Sequence, residues 1–286
     1  MSPIPLINGF SEICEDYDGV LCDVWGVLHN GQRPRRGVVD ALTRYREQKG
    51  GRVVLLTNAP RPNTFIADHL RAMGIPDSAW DDITTSGDVV RQHLRDTQPR
   101  AIYHVGREDN ASSYMDLGLK FTEAEDAELV LCTSLFDRRS ETPEDYRPLF
   151  EPLIGRGVPL LCANPDVVAE QGDKLVWCAG ALAKLYGEMG GNAIIMGKPH
   201  APIYDLAVAR LAGKCDRALD SSRILAIGDG MPTDVKGANG QQIDCLFVTQ
   251  GIHAEALGEH PTAEDVTNLL SENGLHAKAA INRLVW

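Results

Sequence analysis

Four polar groups close apolar runs in this chain: Asp23 within VLCDVWGVL, Thr57 with Asn58 at the end of VVLLTN, Lys198 after IIMG, and Asp229 with Asp234 in LAIGDGMPTD. Singly, each has an ordinary use. A strand-end Asp caps a turn or helix, a Thr-Asn pair opens a loop, and a lone Lys is solvated. Together their roles are complementary. Two carboxylates can hold one magnesium ion, which prefers oxygen ligands and keeps several waters, while a lysine and a hydroxyl neutralise phosphoryl oxygens. The set points to phosphoryl transfer on a small phosphorylated metabolite.

Such groups must be carried on a frame that brings strand ends together, and in an open parallel sheet reactive side chains collect at the carboxyl edge. The patterning supplies that frame. Short apolar runs alternate with helical stretches, which predicts βαβ units and an α/β fold with a mainly parallel sheet. The first part offers residues 20–27, a helix over Val38–Gln48, residues 52–58 and a helix over Asn63–Met73. The middle offers AIYHVG, LVLCTSLF and VPLLCANPD, a small α/β unit of its own. The last third returns with AIIMGKP, ILAIGDG and CLFVTQG, expected to rejoin the first sheet, followed from Ala263 by a peripheral helix and tail. The near-continuous apolar composition of these runs fits strands covered on both faces. The predicted division is a core over 1–87 and 181–286 with an inserted α/β cap over 88–180.

The 286 residues suffice for a large core, and the net charge of −12 argues against nucleic acid as a partner. Net charge does not exclude a small anion, because a phosphate is held by nearby charges and a cation. No run of eighteen apolar residues and no signal segment is visible, so a soluble cytoplasmic protein without membrane contact is expected. The seven cysteines form no CxxC pair and several sit in apolar runs, as reduced core thiols would.

In order and spacing the four groups match the signature motifs of the haloacid dehalogenase superfamily. The runs DVWGVLHNGQRPRRG, LLTNAPRP, ANPD, GKP and GDGMPTD resemble its class IIA group, which includes the N-acetylglucosamine-operon, pyridoxal and phosphoglycolate phosphatases. The resemblance implies a Rossmann-like core with a cap inserted between the second and third motifs. It implies Asp23 as the nucleophile forming an aspartyl-phosphate, with Thr57 and the Asn58 backbone on the phosphoryl oxygens and Lys198 steadying both charges. It also implies magnesium on the Asp23 carboxylate, the Trp25 backbone carbonyl and Asp229, with Asp234 orienting ligand waters. It allows a homodimer, although no apolar seam in the sequence demands one. A competing match, Asp16-Tyr17-Asp18-Gly19, has the better DxDG pattern, but SEICE before it is no apolar strand, whereas VLC precedes Asp23.

One position departs from the pattern. The family's phosphatases carry a second aspartate two residues after the nucleophile, as general acid and base; here it is Trp25. Losing that group removes a contribution of roughly 10²- to 10⁴-fold. Four consequences remain open: a phosphatase restricted to good leaving groups, a phosphatase in which Trp25 is only core packing and another group or a water serves as the acid, a phosphometabolite-binding or regulatory protein with little turnover, or a dehalogenase. The acidic GDGMPTD motif argues against the last, which needs no magnesium. His29 could replace the missing acid or contact substrate. Asp166 of ANPD could face substrate, or simply form an Asx turn. Arg33, Arg35, Arg36 and Arg61 could hold a second anionic group or merely decorate the surface.

Overall fold

The computed structural model describes residues 3–171, 174–215 and 218–286, and the chain forms two compact units. The first comprises Met1–Thr57, Ile66–Thr84 and Lys198–Trp286; the second comprises Asn58–Phe65 and Thr85–Gly197. In chain order the strands are β1 (Leu6–Ile7), β2 (Gly19–Asp23), β3 (Arg52–Thr57) and β4 (Asp82–Thr85), then β5 (Ile102–Val105), β6 (Leu129–Cys132), β7 (Leu160–Cys162), β8 (Val168–Gln171), β9 (Lys174–Trp177) and β10 (Ala193–Ile195). The series closes with β11 (Ile224–Gly228), β12 (Asp244–Val248) and β13 (Ala279–Ile281).

The first unit is built on a seven-stranded sheet in the order β1-β13-β12-β11-β2-β3-β4. Its pairs from β1 through β3 are parallel. β2 starts the pattern: later strands go to one side as β3 and β4, and to the other as β11, β12 and β13. The chain order therefore reverses between β2 and β11, the crevice where open α/β sheets bind ligands. Asp23 closes β2, and Asp229 follows β11 directly. Val20, Leu21 and Cys22 are fully buried, and each such Val or Leu contributes about 1.5–3 kcal/mol. A strand buried on both faces can thus carry a desolvated carboxylate at its end.

Crossover helices follow the expected signals. Helix Val38–Lys49 stops at Gly50, whose φ of 68° is left-handed, and helix Ala201–Ala212 carries Pro202 in its first turn. The C-terminal stretch differs from the expected helix and tail. Helix Ala263–Glu272 is present, capped by Thr262, but the chain then adds β13 to the sheet, with β1 beside it. Strands of two and three residues leave too little pattern to be read before their partners are known.

The second unit has a four-stranded sheet in the order β10-β7-β6-β5, parallel at each pair. One face packs Val105, Val130, Cys132, Leu160 and Cys162 against Phe150, Leu182 and Tyr186; the other packs Ile102, Leu131 and Leu161 against Val90, Leu94 and Tyr114. Helix Ser86–Thr97 begins with a reciprocal cap between Thr85 and Asp88. β8 and β9 form a separate antiparallel ribbon. The run AIIMGKP, expected in the first sheet, belongs here: Ala193, Ile194 and Ile195 pair with Leu160, Leu161 and Cys162. A short apolar run announces a strand but not its sheet, because its pairing partner is a tertiary choice. Among the described residues no helix is long and apolar enough to cross a membrane.

Candidate active site

Three carboxylates and one ammonium meet in the first unit. Lys198 Nζ donates to Asp23 Oδ1 at 2.5 Å, to Asp234 Oδ1 at 2.6 Å and to the Leu56 carbonyl at 3.2 Å. Asp23, Asp229 and Asp234 each place an oxygen within 4.8 Å of the others, and all three are buried, as is Lys198. The Asp23 carboxyl is pushed well above the usual carboxylate range, by burial first and Asp234 next, with Lys198 opposing. Burial, then Asp234, raises Asp229 to about 7.

Backbone contacts fix the cluster. Asp234 sits in a single π-helical turn, Met231–Val235, a rare geometry found often at functional sites. Its Oδ2 accepts from Gly230 N at 3.0 Å, leaving Oδ1 on the lysine. Asp229 Oδ2 accepts from Ile252 N at 2.7 Å. Gly26, at φ 90°, and Gly251 both lie so close to Asp229 that an added Cβ would collide with its carboxylate. Gly251 and Ile252 were not singled out in the sequence, although a glycine closing the apolar run CLFVTQG marks a close backbone approach.

This donor set suits a hard divalent cation. Three carboxylates face one ammonium, so the cluster carries excess negative charge with only oxygen donors. Because Asp229 is raised to about 7, a divalent cation bound there would displace its proton, and magnesium affinity measured by calorimetry should rise from pH 6 to pH 8. The stability sign follows from the same raised value. A folded-state pKa above the unfolded one stabilises below the unfolded value, and that contribution is lost as pH climbs through about 7. In chelator, Asp229→Asn should therefore gain on wild type in Tm as pH rises from about 4 to 8. A difference flat with pH would refute the assignment.

Thr57, buried, ends β3 beside β2, where Asp23 pairs with Leu56. Trp25 is half-buried, its ring 5.1 Å from that of His29 and its Nε1 buried without a hydrogen-bond partner. His29 Nδ1 accepts from Gly31 N at 2.9 Å, which leaves the proton on Nε2. Burial first, then His69 and Arg35, lowers His29 to about 4. A neutral imidazole at pH 7 is no substitute for the missing acid, so His29→Gln should leave the kcat/KM profile unshifted between about pH 6 and 8. Loss of an ionisation there would contradict this.

The competing aspartates lie outside the carboxylate cluster. Asp18 precedes β2 and forms a two-pronged ion pair with Arg223 at 2.8 and 3.1 Å, while Asp16 is exposed in a short 3-10 turn. Asn58 and Asp166 lie in the second unit, hydrogen-bonded to each other at 2.8 Å. Arg61, in the same unit, is committed to Asn110 at 3.0 Å and Asp109 at 2.8 Å and covers the Phe65 ring, while Arg33 and Arg36 are exposed.

The chain is similar to known proteins. The family described as haloacid dehalogenase-like hydrolase matches residues 20–120, and a second description, HAD-hydrolase-like, matches residues 195–272. A hydrolase of the haloacid dehalogenase-like family from Brucella suis is 39% identical, with a TM-score of 0.88 over 98% of this chain and 100% of that one. The D-glycerol 3-phosphate phosphatase of Mycobacterium tuberculosis is 26% identical over 249 residues; the match takes in 85% of this chain but only 65% of that relative's length. A glycerol phosphate phosphatase from the same organism, solved in complex with magnesium, is 25% identical with a TM-score of 0.65, over 84% of this chain and 70% of that one.

Proposed function

Because the chain belongs to the haloacid dehalogenase-like hydrolase family, we propose that it is a magnesium-dependent phosphatase of small phosphorylated metabolites, restricted to substrates with good leaving groups. The observation that carries this reading is the Lys198 ammonium bridging Asp23 and Asp234 beside Asp229, at the crevice where the strand order reverses. The glycerol phosphate phosphatase solved in complex with magnesium supports the choice of cation.

Asp23 attacks the phosphorus, the bond to the leaving oxygen breaks, and an aspartyl-phosphate forms. Lys198 offsets negative charge on Asp23 before attack and on the phosphoryl oxygens after it. Thr57 and the Asn58 backbone take the other phosphoryl oxygens. The Asp23, Asp229 and Trp25 oxygens would hold magnesium, which when bound supplies charge neutralisation at the transferring group. Asp234 keeps Lys198 aimed through its Oδ1. Trp25 gives the leaving oxygen no proton, so departure depends on that group's own acidity, which favours aryl phosphates, acyl phosphates and phosphoanhydrides. Water then attacks phosphorus, the bond to Asp23 breaks and orthophosphate leaves.

Trp25 also supports a second reading, a phosphate-binding protein with negligible turnover. Hydrolysis of para-nitrophenyl phosphate, acetyl phosphate and an alkyl sugar phosphate, with and without magnesium, separates them. Magnesium-dependent release concentrated in the first two is the expected result; binding of phosphate with no release from any would favour the second reading.

A further inference from the structure

Asn58 and Asp166 are 108 residues apart in sequence, yet Asn58 Nδ2 donates to Asp166 Oδ1 at 2.8 Å within the second unit. A carboxylate only accepts, so the amide orientation is fixed by its partner. Asp166 is itself held from two sides. Its N–H donates to Asn164 Oδ1 at 3.2 Å, and its carbonyl accepts from Gly180 N at 3.1 Å, at the start of helix Ala179–Glu188. Gly180 has no room for a side chain, since an added Cβ would stand 2.5 Å from Asp166 O. Asn58 is equally confined: a Cβ on Gly197 would stand 2.6 Å from Asn58 Oδ1, 2.7 Å from Pro165 Cγ and 2.8 Å from Ser86 Oγ. Asn58 is buried, and Asp166 is half-buried.

We propose that Asp166 is a positioning residue for the phosphoryl cradle, acting through Asn58, and not a contact for the leaving group. The proposal rests on the phosphatase reading, in which the Asn58 backbone N–H holds a phosphoryl oxygen. That N–H belongs to the peptide joining Thr57 to Asn58, just past the end of β3. A side chain clamped at its terminal amide, in a niche that two glycines keep tight, stops this peptide from rotating. Asp166 therefore sets the direction of the N–H without touching substrate.

Inorganic phosphate discriminates, because it carries no leaving group. Its binding to the full-length chain with magnesium is measured by calorimetry for wild type, Asp166→Ala, Asp166→Asn and Asn58→Ala. Asp166→Ala should weaken phosphate binding roughly tenfold, the scale of one lost hydrogen bond to a charged group. Asp166→Asn, whose amide oxygen can accept the same N–H, should recover most of that loss. Asn58→Ala should match Asp166→Ala, and the double variant should be no worse than either. KM for para-nitrophenyl phosphate and for an alkyl phosphate should rise by the same factor in Asp166→Ala. Wild-type phosphate affinity in both Asp166 variants, with KM changed for one ester and not the other, would overturn the proposal and make Asp166 a leaving-group contact. Wild type that neither binds phosphate nor hydrolyses any ester would instead remove the phosphatase reading beneath it.

Discussion

Asp23→Asn is expected to lower phosphate release by at least about 10⁴-fold, the scale seen when a covalent nucleophile is removed. The amide keeps the size and one oxygen for Lys198, so the loss will not come from collapse of the site. Stability should move the other way. Asp23 is buried against Asp234 and Asp229, and its ionised form is disfavoured by burial and by both neighbours. Removing that charge relieves repulsion among three carboxylates that share one ammonium. Metal-free Asp23→Asn should therefore melt above metal-free wild type at pH 8, a pairing of lost activity with gained stability common at functional sites. Thermal melts in chelator, run beside the assay, check both halves. A variant that melts lower, or that retains turnover, would contradict the placement of Asp23.

Trp25→Asp is expected to raise kcat/KM, which reports formation of the aspartyl-phosphate, by roughly 10²- to 10⁴-fold for alkyl phosphates while changing that for para-nitrophenyl phosphate far less. A restored carboxyl group protonates a poor leaving oxygen and later activates water; a good leaving group gains little from the first service. The substitution also removes a half-buried ring packed edge-on to His29 and so close to Gly31 that a Cβ there would lie 2.6 Å from Trp25 Cζ2. A stability cost of about 1–3 kcal/mol should accompany the gain, below the usual figure for a fully buried aromatic. Trp25→Phe is the control. It keeps the packing, supplies no proton and deletes an indole N–H that has no partner, so it should stay within a few-fold of wild type. Should a folded Trp25→Asp be no better on alkyl phosphates, residue 25 is not placed for proton transfer.

The cluster of Asp23, Lys198, Asp229 and Asp234 was legible in the sequence because its members close or closely follow apolar runs, and in a parallel sheet that pattern fixes both the edge and the neighbourhood of a side chain. Asp23 could be told from Asp16 and Asp18 for the same reason: only Asp23 stands at the end of the buried strand, Gly19–Asp23. Other features were hidden by their nature. The Ile252 N–H that holds Asp229 is backbone and carries no residue signature. The bond between Asn58 and Asp166 joins loops far apart in sequence, and nothing in either loop announces the other. β10 was assigned to the wrong sheet because Ala193–Ile195 is apolar enough for either, and its pairing with β7 is a tertiary choice. The lowered His29 pKa likewise depends on burial and on His69, neither visible around position 29 alone.

Phosphorylation of Asp23 is the step on which the proposed phosphatase depends, and Trp25 should make it accessible to measurement. Without a base to activate water, the second step slows and the aspartyl-phosphate should accumulate. The test is to quench the enzyme in acid during turnover of acetyl phosphate with magnesium, reduce with borohydride and map the peptides by mass spectrometry. Conversion of Asp23 to homoserine, absent from Asp23→Asn, is the predicted result. Turnover that leaves Asp23 unmodified, or a modification at another residue, would contradict the account.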